Sequence, residues 1–496
     1  MEDLKQRVIR GGFAKAFSQG ATLTLRMGSL MVLARLLTPK DFGLVGMVTA
    51  FTGVLNLFRD FGLSTATVQR RHVTDDQVST LFWINVLVGF LLALLLGGTA
   101  PFVASFYHEP RLFWVSIALA TSFIFNSAGV QHTALLERQM RFTALASIDL
   151  ISLIVSTAIG ISMASTGFGY WSLVAAAVAL PLVTTLCLWF ATGWVPGRPR
   201  SQDGVHSLLR FGGTLTLGNI VVYLAYNLEK VLLGRFWGAD ALGLYGRAYQ
   251  LINLPTENLN SAFWGVAFSG LSRVREDAQK FRNYFLKGYS LLLALTIPVT
   301  IAAAAFAPDL ILVVLGPKWK DVIVIFRLLT PTILIFALIN PLAWLIFSLG
   351  MVGRNLKVVL VLAPVVIIGY AAGLPYGPKG VALGYSAMMT LWAIPHIAWC
   401  VHGTPVSLWD ILRTASRPLI SGLVSGGLAL TIQFFIGQSL PPLPRLIVGS
   451  LILLGGYLGM LLYGMRQREF YVSVLQGLTE RPPLAGKSLV SVSVGD

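Results

Sequence analysis

Side chains able to grip an anion lie inside stretches of this sequence that are otherwise apolar. Lys15 and Arg26 fall in the first such stretch, Asn56 and Arg59 in the second, Lys230 in the seventh and Arg247 in the eighth. A lysine or arginine at the centre of a bilayer costs about 2.5–3.5 kcal/mol even on insertion scales, so several together would cost on the order of 10 kcal/mol against lipid. Their spacing suggests how that cost is avoided. Lys15, Ser18, Thr22, Arg26 and Ser29 follow in steps of three and four, which is one face of a helix. Thr49, Thr52, Asn56 and Arg59 repeat the device, as do Asn219, Tyr223, Asn227 and Lys230, and then Arg247, Gln250, Asn253, Glu257 and Asn260. Four such faces turned toward one another would enclose water. Cations there outnumber acids: Lys15, Arg26, Arg59, Lys230 and Arg247 stand against Asp60, Glu229 and Glu257.

A cationic lumen selects an anion, and arginine binds phosphate oxygens two at a time, more strongly at low dielectric. Lys15, Arg26, Asn56, Arg59, Lys230 and Arg247 are therefore the candidate binding residues. The competing reading for Lys15, Arg59 and Lys230, near stretch ends, is that they snorkel to the head groups, Arg59 with Asp60 as its partner. Glu257 and Asp60 are the candidates for ion coupling; a structural hydrogen bond to a neighbouring helix would equally account for Glu257. Tyr223, Tyr226 and Tyr245 offer flat faces suited to sugar rings, although membrane-interface belts place tyrosines in the same way.

The elements that must position these residues follow from composition. Of 496 residues 55% are hydrophobic and only 12% charged, with a mean hydropathy of +0.74, whereas soluble domains carry about a quarter charged residues. Apolar stretches recur from 12–34 to 444–464, about fourteen of them, each long enough to cross roughly 30 Å of hydrocarbon. The expected fold is an all-α polytopic membrane protein. Two six-helix lobes would occupy 1–200 and 201–405, two more helices 406–465, and a polar tail 466–496. The lobes rest on an internal repeat at an offset of 200. Leu33-Ala34-Arg35 followed by Gly43-Leu44-Val45-Gly46 recurs as Leu233-Gly234-Arg235 followed by Gly243-Leu244-Tyr245-Gly246, and Arg10 and Gly12 match Arg210 and Gly212. Six spans before the second copy would make the repeats parallel, related by an axis along the membrane normal.

The net charge of +16 invites a nucleic-acid reading, which the distribution of charge excludes. With both termini in the cytoplasm, the cytoplasmic segments hold 23 of the 37 lysines and arginines, the opposite loops 8, and the remaining six lie within or at the edges of spans. That bias is the positive-inside rule, and it favours an even span count. Cys187 and Cys400 both fall in apolar stretches, so no disulfide framework is read, and the first span serves as the targeting element rather than a cleaved leader. No Walker A, GxGxxG or HExxH pattern occurs, and the six histidines are scattered without metal spacing. Asp75-Asp76 caps the third span, and the longest extracytoplasmic loop, about 308–321, is too short for a catalytic platform. A transporter without catalytic residues, metal or cofactor is expected, with a proton or sodium gradient as the candidate driving force.

The run Ala34-Arg35-Leu36-Leu37-Thr38-Pro39-Lys40-Asp41-Phe42-Gly43-Leu44 resembles the Wzx-type polysaccharide flippases. So do Phe58-Arg59-Asp60-Phe61-Gly62-Leu63, Gln69-Arg70-Arg71, and Gly234-Arg235-Phe236 through Tyr245-Gly246. These flippases belong to the superfamily of multidrug, oligosaccharidyl-lipid and polysaccharide exporters. The resemblance implies a bacterial inner-membrane flippase that moves an undecaprenyl-diphosphate-linked oligosaccharide repeat unit to the periplasmic leaflet, for exopolysaccharide, capsule or O-antigen. It also implies alternating access, a cationic cavity whose arginines engage the diphosphate, and polymerase and assembly proteins as partners. By position Arg26, Arg59 and Arg247 take that role, with Lys15 second to them. Two other readings stay open: a cation-coupled multidrug antiporter, which prefers a carboxylate-rich lumen, and a non-transporting assembly scaffold, which leaves the cationic stripes unexplained.

Overall fold

The structure, a computed structural model, describes residues 20–59, 64, 67, 68, 74–199, 205–436 and 440–472, without the side chains of 205–222, 225, 262 and 266. Lys15 and Asp60 lie outside the described residues. Every regular element among the described residues is helical. In chain order α1 runs over 20–36, α2 over Pro39–Asn56, α3 over Asp75–Tyr107, α4 over Arg111–Arg138, α5 over Phe142–Ser165 and α6 over Tyr170–Thr192. A break at Gly238 divides Val205–Arg273 into α7 (205–237) and α8 (239–273). Then follow α9 (Ala278–Ala305), α10 (Val322–Ser348, in three short pieces), α11 (Val352–Gly373), α12 (Gly377–Val401), α13 (Leu408–Ile436) and α14 (Pro442–Gly459).

Local chemistry explains several of these boundaries. At α2 the Asp41 carboxylate accepts from the Thr38 backbone N–H at 2.9 Å and from its hydroxyl at 2.7 Å, while Pro39 takes the first helical position, where no N–H is needed. At α3 Thr74 caps through Gln77 in a reciprocal pair of bonds, and Asp75-Asp76 fill the first turn, favourable to the helix dipole. The turn at Gly238 has φ 78°, a backbone region that disfavours residues with a Cβ.

Nine stretches among the described residues are long and apolar enough to cross a membrane: α3 to α6, α9, α10, the α11–α12 pair, α13 and α14. Among the described residues, the long helices α1, α2, α7 and α8, to which the polar stripes belong, fall outside that set. Large apolar side chains cover the outside of the bundle, among them Leu94 at 56% exposure, Phe102 at 62% and Leu391 at 71%. Such a surface is stable only in lipid. The chain is a multi-span all-α membrane protein.

The segment expected as a loop at 308–321 is built instead as a short helix, Ala307–Val314, and a tight turn, Pro317–Trp319. It forms a plug. The Trp319 indole N–H donates to the Ala34 carbonyl at 2.7 Å, Lys318 Nζ donates to the Arg35 carbonyl at 3.1 Å, and Arg35 Nη2 donates back to the Val313 carbonyl at 2.9 Å. The Trp319 ring meets Phe42 edge-on at 5.5 Å. Buried Asp309 takes Arg445 as an ion-pair partner and accepts from Gln433 at 2.8 Å, which ties this helix to α13 and α14. The segment thus fastens α1 and α2 to α13 and α14 at the end of the bundle where α1 meets α2.

Candidate functional site

Below that fastened end lies a cavity of about 610 Å³. Arg26 and Ser29 of α1, Thr49 of α2, Glu229 and Lys230 of α7, and Arg247, Gln250, Asn253 and Glu257 of α8 all line it. The stripes of α1 and α8 therefore face one another across the interior, as the helical spacing requires. α5 and α6 add Leu153 and Leu173, two apolar members of the wall.

Each cation is held differently. Arg26 is exposed toward the cavity, within electrostatic reach of Asp149 on α5. Lys230 Nζ donates to Asn227 Oδ1 at 2.6 Å, one turn back on α7. Arg247 lays its guanidinium over the Phe42 ring at 4.3 Å, and its buried Nε has no hydrogen-bond partner. A guanidinium stacked on one face and short of an acceptor keeps donor N–H groups unused.

Two expected binding residues sit elsewhere. Arg59, at the end of α2, directs Nη1 to Asn126 Oδ1 on α4 at 3.4 Å and does not line the cavity. Asn56 bonds the Thr52 carbonyl of its own helix at 3.0 Å and also stays outside the cavity wall. The physical reason is that α2 ends at Asn56, so the stripe loses its helical register just where these residues stand. Glu257 is exposed to the lumen. Among the described lining residues three cations face two carboxylates, a smaller excess than the sequence suggested.

The sequence count included Glu229 among the acids without marking its environment. Its side chain is fully buried, and neither carboxylate oxygen accepts a hydrogen bond of normal geometry. Tyrosines of α7, α8 and α11 lie near it, and those of α8 and α11 belong to a ring cluster with α12: Tyr245 stacks on Tyr249 at 6.0 Å, Tyr249 meets Tyr385 edge-on at 6.2 Å, and Tyr385 stacks on Tyr370 at 5.3 Å. Tyr223, Tyr245, Tyr249 and Tyr370 all interact electrostatically with Glu229. Tyr245 is thus a core residue rather than an open platform for a sugar ring. Asp149 was passed over in the sequence, yet it is the single charged residue within 143–164, a signal that was available.

A family profile described as "Polysaccharide biosynthesis protein" matches residues 32–324, more than half of the chain. Among similar proteins are the teichuronic acid biosynthesis protein TuaB of Bacillus subtilis, 28% identical over 69% of this chain and 71% of that one, and the lipopolysaccharide biosynthesis protein WzxC of Escherichia coli, 26% identical over 77% and 78%. The succinoglycan biosynthesis transport protein ExoT of Rhizobium meliloti is 24% identical over 94% of this chain and 95% of its own. In fold the chain is similar to the lipid II flippase MurJ in an inward closed conformation, with TM-score 0.72 and 14% identity over 93% of this chain and 100% of that one. An inward-facing multidrug transporter of the MATE family, from the MOP superfamily, aligns at TM-score 0.60 and 14% identity over 80% and 95%. With helices, cavity and matched residues in agreement, the chain belongs to the polysaccharide biosynthesis protein family, on the fold shared by transporters of the MOP superfamily.

Proposed function

We propose that the protein is a flippase that carries an undecaprenyl-diphosphate-linked oligosaccharide repeat unit from the cytoplasmic to the periplasmic leaflet by alternating access. The observation that carries this reading is the cavity between the halves, with Arg26, Lys230 and Arg247 on its wall. Its volume suits a drug-sized head group. The diphosphate would meet the three cations while the polyprenyl tail stays in lipid. The fastened end is the periplasmic one, because the cation-rich segments lie opposite it. Fourteen spans, lobes at 1–200 and 201–405 and cytoplasmic termini in the inner membrane complete the topology. A polysaccharide polymerase and assembly proteins would take the product onward. No catalytic step is assigned.

For coupling, Glu229 is the better candidate than Glu257. Its carboxylate is buried on the cavity wall next to Lys230, so it would exchange a proton only where the bundle opens to it. We take a proton gradient rather than a sodium gradient as the driving force. The test is a deletion strain complemented with the wild-type chain or with Arg26→Ala. Accumulation of lipid-linked repeat units on the cytoplasmic side in the deletion, unrelieved by the variant, is expected. Undiminished polymer export without the protein would overturn the reading.

A further inference from the structure

A second cavity, of about 350 Å³, lies far along the chain from the residues of the central one, between α9, the start of α13 and the segment after α14. Four cations line it: Arg282 and Lys287 from α9, Arg413 and Arg417 from α13. The one carboxylate on its wall, Asp410, is already engaged. Arg282 binds it through two bonds, at 2.9 and 2.5 Å, and it also accepts from the Ser407 N–H at 3.0 Å at the head of α13. Lys287, Arg413 and Arg417 are left without a carboxylate partner among the described residues. The third wall is fixed in place, because the Tyr471 hydroxyl, just past α14, bonds the Ser290 hydroxyl of α9 at 3.1 Å. Like charges at i and i+4 on one helix repel, so Arg413 and Arg417 gain most from an anion set between them.

The position selects the source of that anion. Arg413, Arg417, Ile420 and Val424 follow in steps of four, three and four along one face of α13. Ile420 is 46% exposed and Val424 53%, so the same stripe that begins in two arginines continues as bare apolar surface. Charged head and hydrocarbon tail are matched in order along a single helix. We infer that this cavity is a binding site for the phosphate head group of an anionic phospholipid, whose acyl chain lies along Ile420 and Val424. The site is separate from the cargo cavity and does not depend on what that cavity carries.

The full-length protein in detergent micelles, titrated with phosphatidylglycerol or phosphatidylcholine and read by native mass spectrometry, tests this. Phosphatidylglycerol is expected to stay bound at concentrations on the order of tenfold below those needed for phosphatidylcholine, and the double variant Arg413→Gln/Arg417→Gln is expected to abolish that difference. The charge-preserving Arg413→Lys/Arg417→Lys should retain it, and Lys357→Gln on α11 should leave it unchanged. Equal binding of the two lipids to the wild-type protein would refute the site even if the glutamine variant failed to fold. Displacement of phosphatidylglycerol by inorganic phosphate, or by undecaprenyl diphosphate at lower concentration, would equally overturn it, pointing to a free anion or to the cargo instead.

Discussion

Gly43 and Gly243 meet the opposite half of the molecule in the same way: a Cβ on Gly43 would overlap the Ala239 carbonyl, and one on Gly243 would overlap the Pro39 carbonyl. Residue 39 is to 43 as 239 is to 243, so the exchange has the form that a two-fold relation at an offset of 200 would give. Gly43→Val or Gly243→Val should push the halves apart at the fastened end, costing about 1–3 kcal/mol through overpacking. Thermal unfolding in micelles is expected to shift down for either variant and to shift far less for Gly28→Val, a site with no atom near its missing Cβ.

Trp319 holds the same end shut. Trp319→Phe keeps most of the edge contact with Phe42 but leaves the Ala34 carbonyl without its donor, at about 0.5–1.5 kcal/mol. Trp319→Ala should cost about 3–5 kcal/mol, and part of that loss should appear as opening rather than unfolding. A cysteine placed at Ser29, on the cavity wall, should become accessible to a membrane-impermeant thiol reagent from the periplasmic side in Trp319→Ala alone.

Arg247 and Arg59 make a contrasting pair. Arg247→Ala removes a cavity cation stacked on Phe42, and repeat-unit transport should fall by about tenfold or more at equal protein level. Arg247→Lys keeps the charge without the planar fork and should restore only part of it. Arg59→Gln, facing Asn126 outside the cavity, should leave transport within about twofold and register instead as a small loss of thermal stability. A transport defect of equal size in both would contradict the placement of Arg59.

Glu229→Gln should uncouple transport from the proton gradient. In proteoliposomes an imposed pH gradient should accelerate flipping by the wild-type protein and have no effect on the variant, whose basal flipping persists. Continued acceleration in the variant would shift the coupling role to Glu257.

Glu109, in the connection between α3 and α4, is held below the usual carboxyl range by its hydrogen bonds to Arg111, both at 2.7 Å. A depressed folded-state value contributes stability that is present above the unfolded value and lost as pH falls through the folded one. Glu109→Gln should therefore unfold at a lower temperature than wild type at pH 7. The two melting curves should converge as the medium is acidified below about pH 4.

The fold class was legible in the sequence because lipid leaves a helix little choice: runs of apolar residues near twenty long satisfy their own backbone or do not cross. The stripes of α1 and α8 were legible for a similar reason, since a spacing of three and four fixes which side chains share a face. The cap at Thr38 and the first-turn Pro39 are local features too, whereas the close approach at Gly43 to the Ala239 carbonyl is tertiary.

What the sequence could not decide is which faces meet and where a stripe stops. Arg59 belongs to its stripe by spacing and left it because α2 ends at Asn56, a matter of a few residues that only packing sets. Glu229 was countable as one acid among several. Its surroundings depend on tyrosines from α8 and α11, 141 residues away in the case of Tyr370, brought near it by the tertiary fold. Burial and partnership are properties of the surroundings rather than of the residue. The sequence determined which helices carry charge, and the tertiary structure decided which of those charges share a cavity.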